Sequence, residues 1–111
     1  MAACLTPGTA LCRRDDLDDP GALEIRHGGA RLIVVQSAGA VRCFHNRCPH
    51  EGKPLNRSPE RFFTADERHL LCGWHGALFE PVSGRCIAGA CTGKGLSPIA
   101  IRLDGETIRL A

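Results

Sequence analysis

The sequence predicts an all-β fold. Short β-prone runs recur between Gly-containing turns, the C-terminal residues alternate apolar with polar at period two, and no window carries an apolar stripe at helical spacing over several turns. Thirteen glycines and seven prolines punctuate all 111 residues without any internal repeat or low-complexity stretch, as expected of one turn-rich domain spanning residues 1–111.

In chain order, the runs 22–25, 31–35 and 40–44 are separated by His27-Gly28-Gly29 and Ser37-Ala38-Gly39. Each triplet has the composition of a turn, so the three runs read as an antiparallel meander. Residues 59–69 fit either a single helical turn or another strand. At the C-terminus, Ile99, Ile101 and Leu103 alternate with Ala100 and Arg102 before Asp104-Gly105, and Thr107-Ile108-Arg109-Leu110 follows. That pattern predicts a hairpin with a tight Asp-Gly turn. The run 13–19 mixes two arginines with four aspartates and reads as a solvated loop able to steer a partner.

Composition excludes several function classes. A formal net charge of +2 gives no basic field for nucleic acid, and the apolar runs fall well short of the roughly 20 residues of a membrane span. The first residues carry no basic segment followed by a long apolar one, so the expected location is the cytoplasm. Seven cysteines form an odd set and lack an export signal; in a reducing compartment this favours metal ligation over a disulfide framework.

Two loop segments, 46–58 and 71–84, hold nearly all the soft metal ligands. The first reads Cys48-Pro49-His50-Glu51-Gly52 and the second Cys72-Gly73-Trp74-His75-Gly76, giving C-x-H and C-x-x-H separated by twenty-one residues. Two thiolates and two imidazoles from facing loops suit a single tetrahedral iron or zinc. They equally suit a binuclear cluster taking one cysteine and one histidine from each loop, and spacing alone does not choose between these.

The chain resembles the Rieske proteins, which carry C-x-H-x-G followed after a spacer by C-x-x-H-G. Cys48, His50, Gly52, Cys72, His75 and Gly76 fill every motif position, and the likeness extends to Asn46, Pro54-Leu55, Phe79 and Leu96-Ser97-Pro98. The resemblance implies a Rieske (ISP-like) fold, an antiparallel β-sandwich with a small two-loop cluster-binding subdomain. It implies one [2Fe-2S] cluster, with Cys48 and Cys72 on one iron and His50 and His75 on the other. Replacing two thiolates by neutral imidazoles removes negative charge and raises the potential above that of an all-cysteine cluster.

Departures from the respiratory-complex branch sharpen the expectation. Its loop-joining cysteines are replaced here by Lys53 and Trp74, and its hydroxyl donors by Ala77 and Phe79. Without those donors the potential should lie toward the bottom of the Rieske range, roughly −150 mV. The implied role is a soluble one-electron carrier and not an enzyme. It would take electrons from a flavin-dependent reductase and pass them to a terminal oxygenase or other oxidoreductase, docking near His50 and His75. A Rieske oxygenase itself is disfavoured by chain length and by the lack of a two-histidine and carboxylate iron site.

Two rival readings are an electron-transfer small subunit of a larger reductase, like that of nitrite reductases, and a structural zinc module. A zinc variant would recruit Cys43 and His45 together with Cys48 and His50. Against it, 41–45 reads as a strand with Cys43 packing in a core. Cys86 and Cys91 are expected as buried thiols, and Cys4 and Cys12, near an expected mobile terminus, carry no partner signature. Trp74 fits either an electron exit or a water-excluding role, and Pro54-Leu55 fits a loop packed over the cluster.

Overall fold

Residues 5–49, 54–56, 62–73, 76–89 and 93–111 are described by a computed structural model. Nine strands form three small antiparallel sheets: β1 (Ala10–Arg13), β2 (Gly21–His27), β3 (Ala30–Ser37), β4 (Ala40–His45), β5 (Leu70–Leu71), β6 (Leu78–Phe79), β7 (Cys86–Ala88), β8 (Ile101–Asp104) and β9 (Thr107–Leu110). The sheets run β2-β3-β4, β1-β9-β8 and β5-β6-β7. A single 3-10 turn, Arg14–Asp16, is the helical content of the described residues.

The central strand explains the layering. Leu32, Ile33 and Val34 are fully buried and Val35 is 1% exposed. Because successive side chains point to opposite faces of a strand, such a run needs a core on each side. Leu32 and Val34 face one core, shared with Ile108 and Leu110 of β9 and with Leu11 and Cys12 of β1. Ile33 and Val35 face the other, shared with Leu70, Phe79 and Cys86 of the β5-β6-β7 sheet. The meander sheet therefore lies between the other two, and the expected sandwich is built from three sheets.

The meander and the C-terminal hairpin form where expected. In register, Leu23 opposes Val34, Ile33 opposes Phe44, and Leu103 opposes Ile108. The β3–β4 turn places Ala38 at φ +50° and Gly39 at φ +79°, a conformation unfavourable for alanine. Asp19 compensates: its carboxylate accepts the Ala38 and Gly39 backbone N–H groups at 2.8 and 2.9 Å.

Other expectations are corrected. The strand of the final hairpin starts at Ile101, because the Ile99 N–H donates instead to the Cys43 carbonyl at 2.8 Å. Its two-residue turn is Gly105-Glu106, with Asp104 still in the strand. Cys12 sits in a strand paired with β9 and not in a mobile terminus; β1 was too short to register as a periodic pattern. The run 13–19 is not a plain solvated loop, since Leu17 is buried and the Gln36 amide donates to the Leu17 carbonyl at 3.4 Å. In 62–69 no helix occurs; Phe63 instead forms a bridge with Leu70. No helix among the described residues is long and apolar enough to cross a membrane.

Candidate metal centre

The first cysteine loop leaves the end of β4 under tight control. His45 N–H donates to the Ser97 carbonyl at 2.9 Å and Asn46 N–H to the Arg31 carbonyl at 2.8 Å, fixing the chain where the strand stops. The Asn46 side chain then closes the loop on itself. Its Oδ1 accepts the Leu55 N–H at 2.8 Å, while its Nδ2 donates to Asn56 Oδ1 at 2.7 Å and to Glu24 Oε2 at 2.5 Å. Cys48 lies between these anchor points and is 1% exposed.

Backbone hydrogen bonds close the second loop at its described ends. Cys72 N–H donates to the Ala77 carbonyl and the Cys72 carbonyl accepts from Gly76 N–H, both at 2.9 Å. Cys72 is thus held from both of its backbone groups by Gly76 and Ala77. Gly76 adopts φ +73°, a left-handed conformation that residues with a Cβ rarely take. A third hydrogen bond, Gly73 N–H to the Leu55 carbonyl at 2.8 Å, ties the two loops together.

These contacts bring Cys48 and Cys72 into the same buried cluster, with Leu55, Ala77 and Phe79 around them. His50 and His75 lie outside the described residues, as do Gly52, Lys53, Trp74, Cys4 and Cys91. Among the described residues, no three His, Cys, Asp or Glu side chains gather to hold a metal ion. The described donors are two thiols in apolar surroundings. Buried thiolates need a cationic partner, and sulfur is the donor type that iron–sulfur clusters take, so this pair fits such a group.

Of the other described cysteines, Cys12 and Cys43 lie in or against the opposite core, whereas Cys86 shares the core of this pair. Cys43 packs in the core on the opposite face of the meander sheet, so the variant zinc site combining it with Cys48 does not form. Burial, with a smaller contribution from the nearby Cys12, pushes the Cys43 thiol up to about 12. Burial and then the Asp16 carboxylate push Cys12 up to about 11. The Cys86 thiol is buried and donates to the Ala88 carbonyl at 3.3 Å.

Sequence reasoning missed the acidic anchor of the first loop. Glu24 accepts two hydrogen bonds from the Arg31 guanidinium, at 2.6 and 2.9 Å, besides that from Asn46. The Arg31 hydrogen bonds hold its carboxyl below the ordinary value of 4.5 despite burial, with help from Asn46. The signal available was a charged residue inside the apolar run Leu23-Glu24-Ile25, with Arg31 across the following turn.

Two cysteine loops stitched together at the end of a small three-sheet β fold define an iron–sulfur electron-transfer domain. The model of the Rieske [2Fe-2S] domain matches residues 8–102, and the chain belongs to that family. It binds one [2Fe-2S] cluster, which supersedes the structural-zinc reading. No curated protein sequence matches the chain.

Solved structures share the fold. The ferredoxin of carbazole 1,9a-dioxygenase from Nocardioides aromaticivorans IC177 superposes with a TM-score of 0.75 at 21% identity, covering 96% of this chain and 98% of that one. A Sphingomonas yanoikuyae B1 ferredoxin gives 0.74 at 18% identity, covering 93% and 96%. The terminal oxygenase of carbazole 1,9a-dioxygenase from Novosphingobium sp. KA1 gives 0.80 at 14% identity, covering 97% of this chain but 30% of the oxygenase.

Proposed function

We propose that this chain is a single-domain, cytoplasmic one-electron carrier whose cluster is held by Cys48, His50, Cys72 and His75. It receives electrons from a flavin-dependent reductase and delivers them to a terminal oxygenase. The observation that carries this reading is the convergence of Cys48 and Cys72 in one buried cluster, with the two loops joined through Gly73 and Leu55. The match to ferredoxins over nearly their whole length supports the carrier role. So does a similar structure described as a complex of reduced oxygenase and oxidised ferredoxin in carbazole 1,9a-dioxygenase.

When bound, the cluster accepts and releases one electron at a time. The chain's part is to hold it and to select where electrons cross. Cys48 and Cys72 are 1% and 0% exposed, and Leu55 and Phe79 seal the thiol side against water. A partner cannot approach closely from that side. Docking near His50 and His75 rests on the family resemblance, in which neutral imidazoles complete the donor set without adding negative charge.

Low-temperature electron paramagnetic resonance on dithionite-reduced protein, paired with iron and sulfide analysis, tests the ligand set. A rhombic signal of low average g value with two irons per chain is expected. His50→Cys or His75→Cys should then lower the potential, because each restores a thiolate charge; an unchanged potential rejects the assignment. Stopped-flow reoxidation of the reduced protein by a carbazole-type terminal oxygenase tests the delivery step, and transfer no faster than that to an unrelated acceptor rejects it.

A further inference from the structure

The buried and part-buried polar groups beside the first cysteine loop form one connected set. Arg31 grips the Glu24 carboxylate with two hydrogen bonds, and Glu24 in turn accepts from Asn46. Asn46 is 4% exposed and spends its whole side chain on this task. Both recorded Nδ2 contacts go to side-chain oxygens, of Glu24 and Asn56, and its Oδ1 takes the Leu55 N–H. The Leu55 carbonyl then accepts the N–H of Gly73, the residue following Cys72.

An amide can satisfy this arrangement in one orientation only. Rotating it by half a turn would aim Oδ1 at the Glu24 carboxylate and Nδ2 at the Leu55 N–H, pairing acceptor with acceptor and donor with donor. A carboxylate at position 24, kept ionised by Arg31, reinforces the orientation that the Leu55 N–H and Asn56 Oδ1 also require. Hydrogen bonds to a charged group are also stronger than those between neutral groups.

We propose that Glu24, acting through Asn46, is a positioning residue for the cluster: it locks the loop that carries Cys48 and, through Leu55 and Gly73, sets it against the loop that carries Cys72. This rests on the ligand reading above. The carboxylate also balances the Arg31 guanidinium, so the pair presents little net charge to the cluster. Removing the carboxylate leaves Arg31 unbalanced, which favours the reduced, more negative state.

The test uses the holoprotein with Glu24→Gln, Glu24→Asp, Asn46→Ala and Arg26→Gln. Glu24→Gln is expected to release its cluster to a chelator about tenfold faster, the factor for loss of one charge-assisted hydrogen bond. It should also shift the potential upward and alter the rhombic g values of the cluster still bound. Glu24→Asp should restore the potential and recover part of the retention; it keeps the proposal testable should Glu24→Gln fold poorly. Asn46→Ala should lose retention more severely than Glu24→Gln.

Arg26, 3.9 Å from Glu24 and 72% exposed, serves as the control for a general charge effect and should leave every readout unchanged. A purely structural role for Glu24 would change unfolding but not the potential or g values of intact clusters. Wild-type release, potential and g values in Glu24→Gln would overturn the proposal, as would a potential shift of equal size and opposite sign in Arg26→Gln. Cys48→Ala separates the two readings. A two-iron cluster retained there removes the ligand assignment, whereas an empty Cys48→Ala beside an unaltered Glu24→Gln removes the clamp alone.

Discussion

A Cβ at position 89 would stand 2.8 Å from the Cα of Ala77, a separation that real side chains essentially never show. Ala77 is the residue whose carbonyl accepts the Cys72 N–H, and Gly89 follows directly on β7, at φ +101°. The backbone after β7 therefore braces the base of the second cysteine loop from behind, and only glycine permits that approach. The obstacle is backbone and cannot swing aside. Gly89→Ala is accordingly expected to destabilise the fold by about 1–3 kcal/mol, the usual range for an overpacked core. Denaturant unfolding at constant slope measures this, and an unchanged midpoint would show that the brace yields freely.

Ala77 and Phe79 are 1% and 0% exposed and lie in the cluster of side chains that holds both cysteines. Neither has a hydroxyl to offer sulfur. Hydrogen bonds to cluster or ligand sulfur stabilise the reduced, more negative state. Ala77→Ser and Phe79→Tyr are therefore expected to raise the reduction potential, the pair more than either alone. Voltammetry of the three variants decides it, and a potential equal to wild type in all three would mean that these positions do not address the sulfurs.

Legibility in the sequence followed the length and regularity of each pattern. The run 31–35 was readable from its β-prone residues bounded by turn triplets, and the hairpin near Asp104-Gly105 because alternation and turn chemistry agree. Strands β1, β5, β6 and β7 have two to four residues each, too few for a period to show, and exist because the cores on either side of β3 need covering. The motif cysteines were readable from spacing. The Glu24–Asn46–Leu55 connection was not, because it joins three stretches of chain that come together only after β2 and β3 pair.

Acid stability should carry the mark of Glu24. Its carboxyl lies below 4.5 in the folded protein, first because of the Arg31 hydrogen bonds. Below 4.5 the unfolded chain binds the proton more readily than the folded one, so stability rises with pH across that window. The contribution is complete above the unfolded value and is lost as pH falls through the folded value. Glu24→Gln should flatten this limb of the profile without abolishing it, because Asp66 and Glu80 are lowered as well. Circular dichroism of acid titrations gives the comparison; parallel curves for variant and wild type would exclude Glu24 as a contributor.

Cys12 and Cys43, outside the cysteine loops, should be chemically quiet. Alkylation proceeds through the thiolate, and burial pushes Cys12 up to about 11 and Cys43 up to about 12, from an ordinary 9.0. At pH 8 the thiolate fraction of folded Cys12 falls by about a hundredfold and that of Cys43 by about a thousandfold, before steric exclusion is added. Iodoacetamide at that pH is expected to leave both unmodified in native protein and to label both promptly in guanidinium chloride, as read by peptide mass spectrometry. Cys12 should yield first on partial denaturation, since it is only partly buried whereas Cys43 is 2% exposed. Equal labelling rates for Cys43 in folded and unfolded protein would mean that the core between the β2-β3-β4 and β1-β9-β8 sheets opens far more readily than its burial implies.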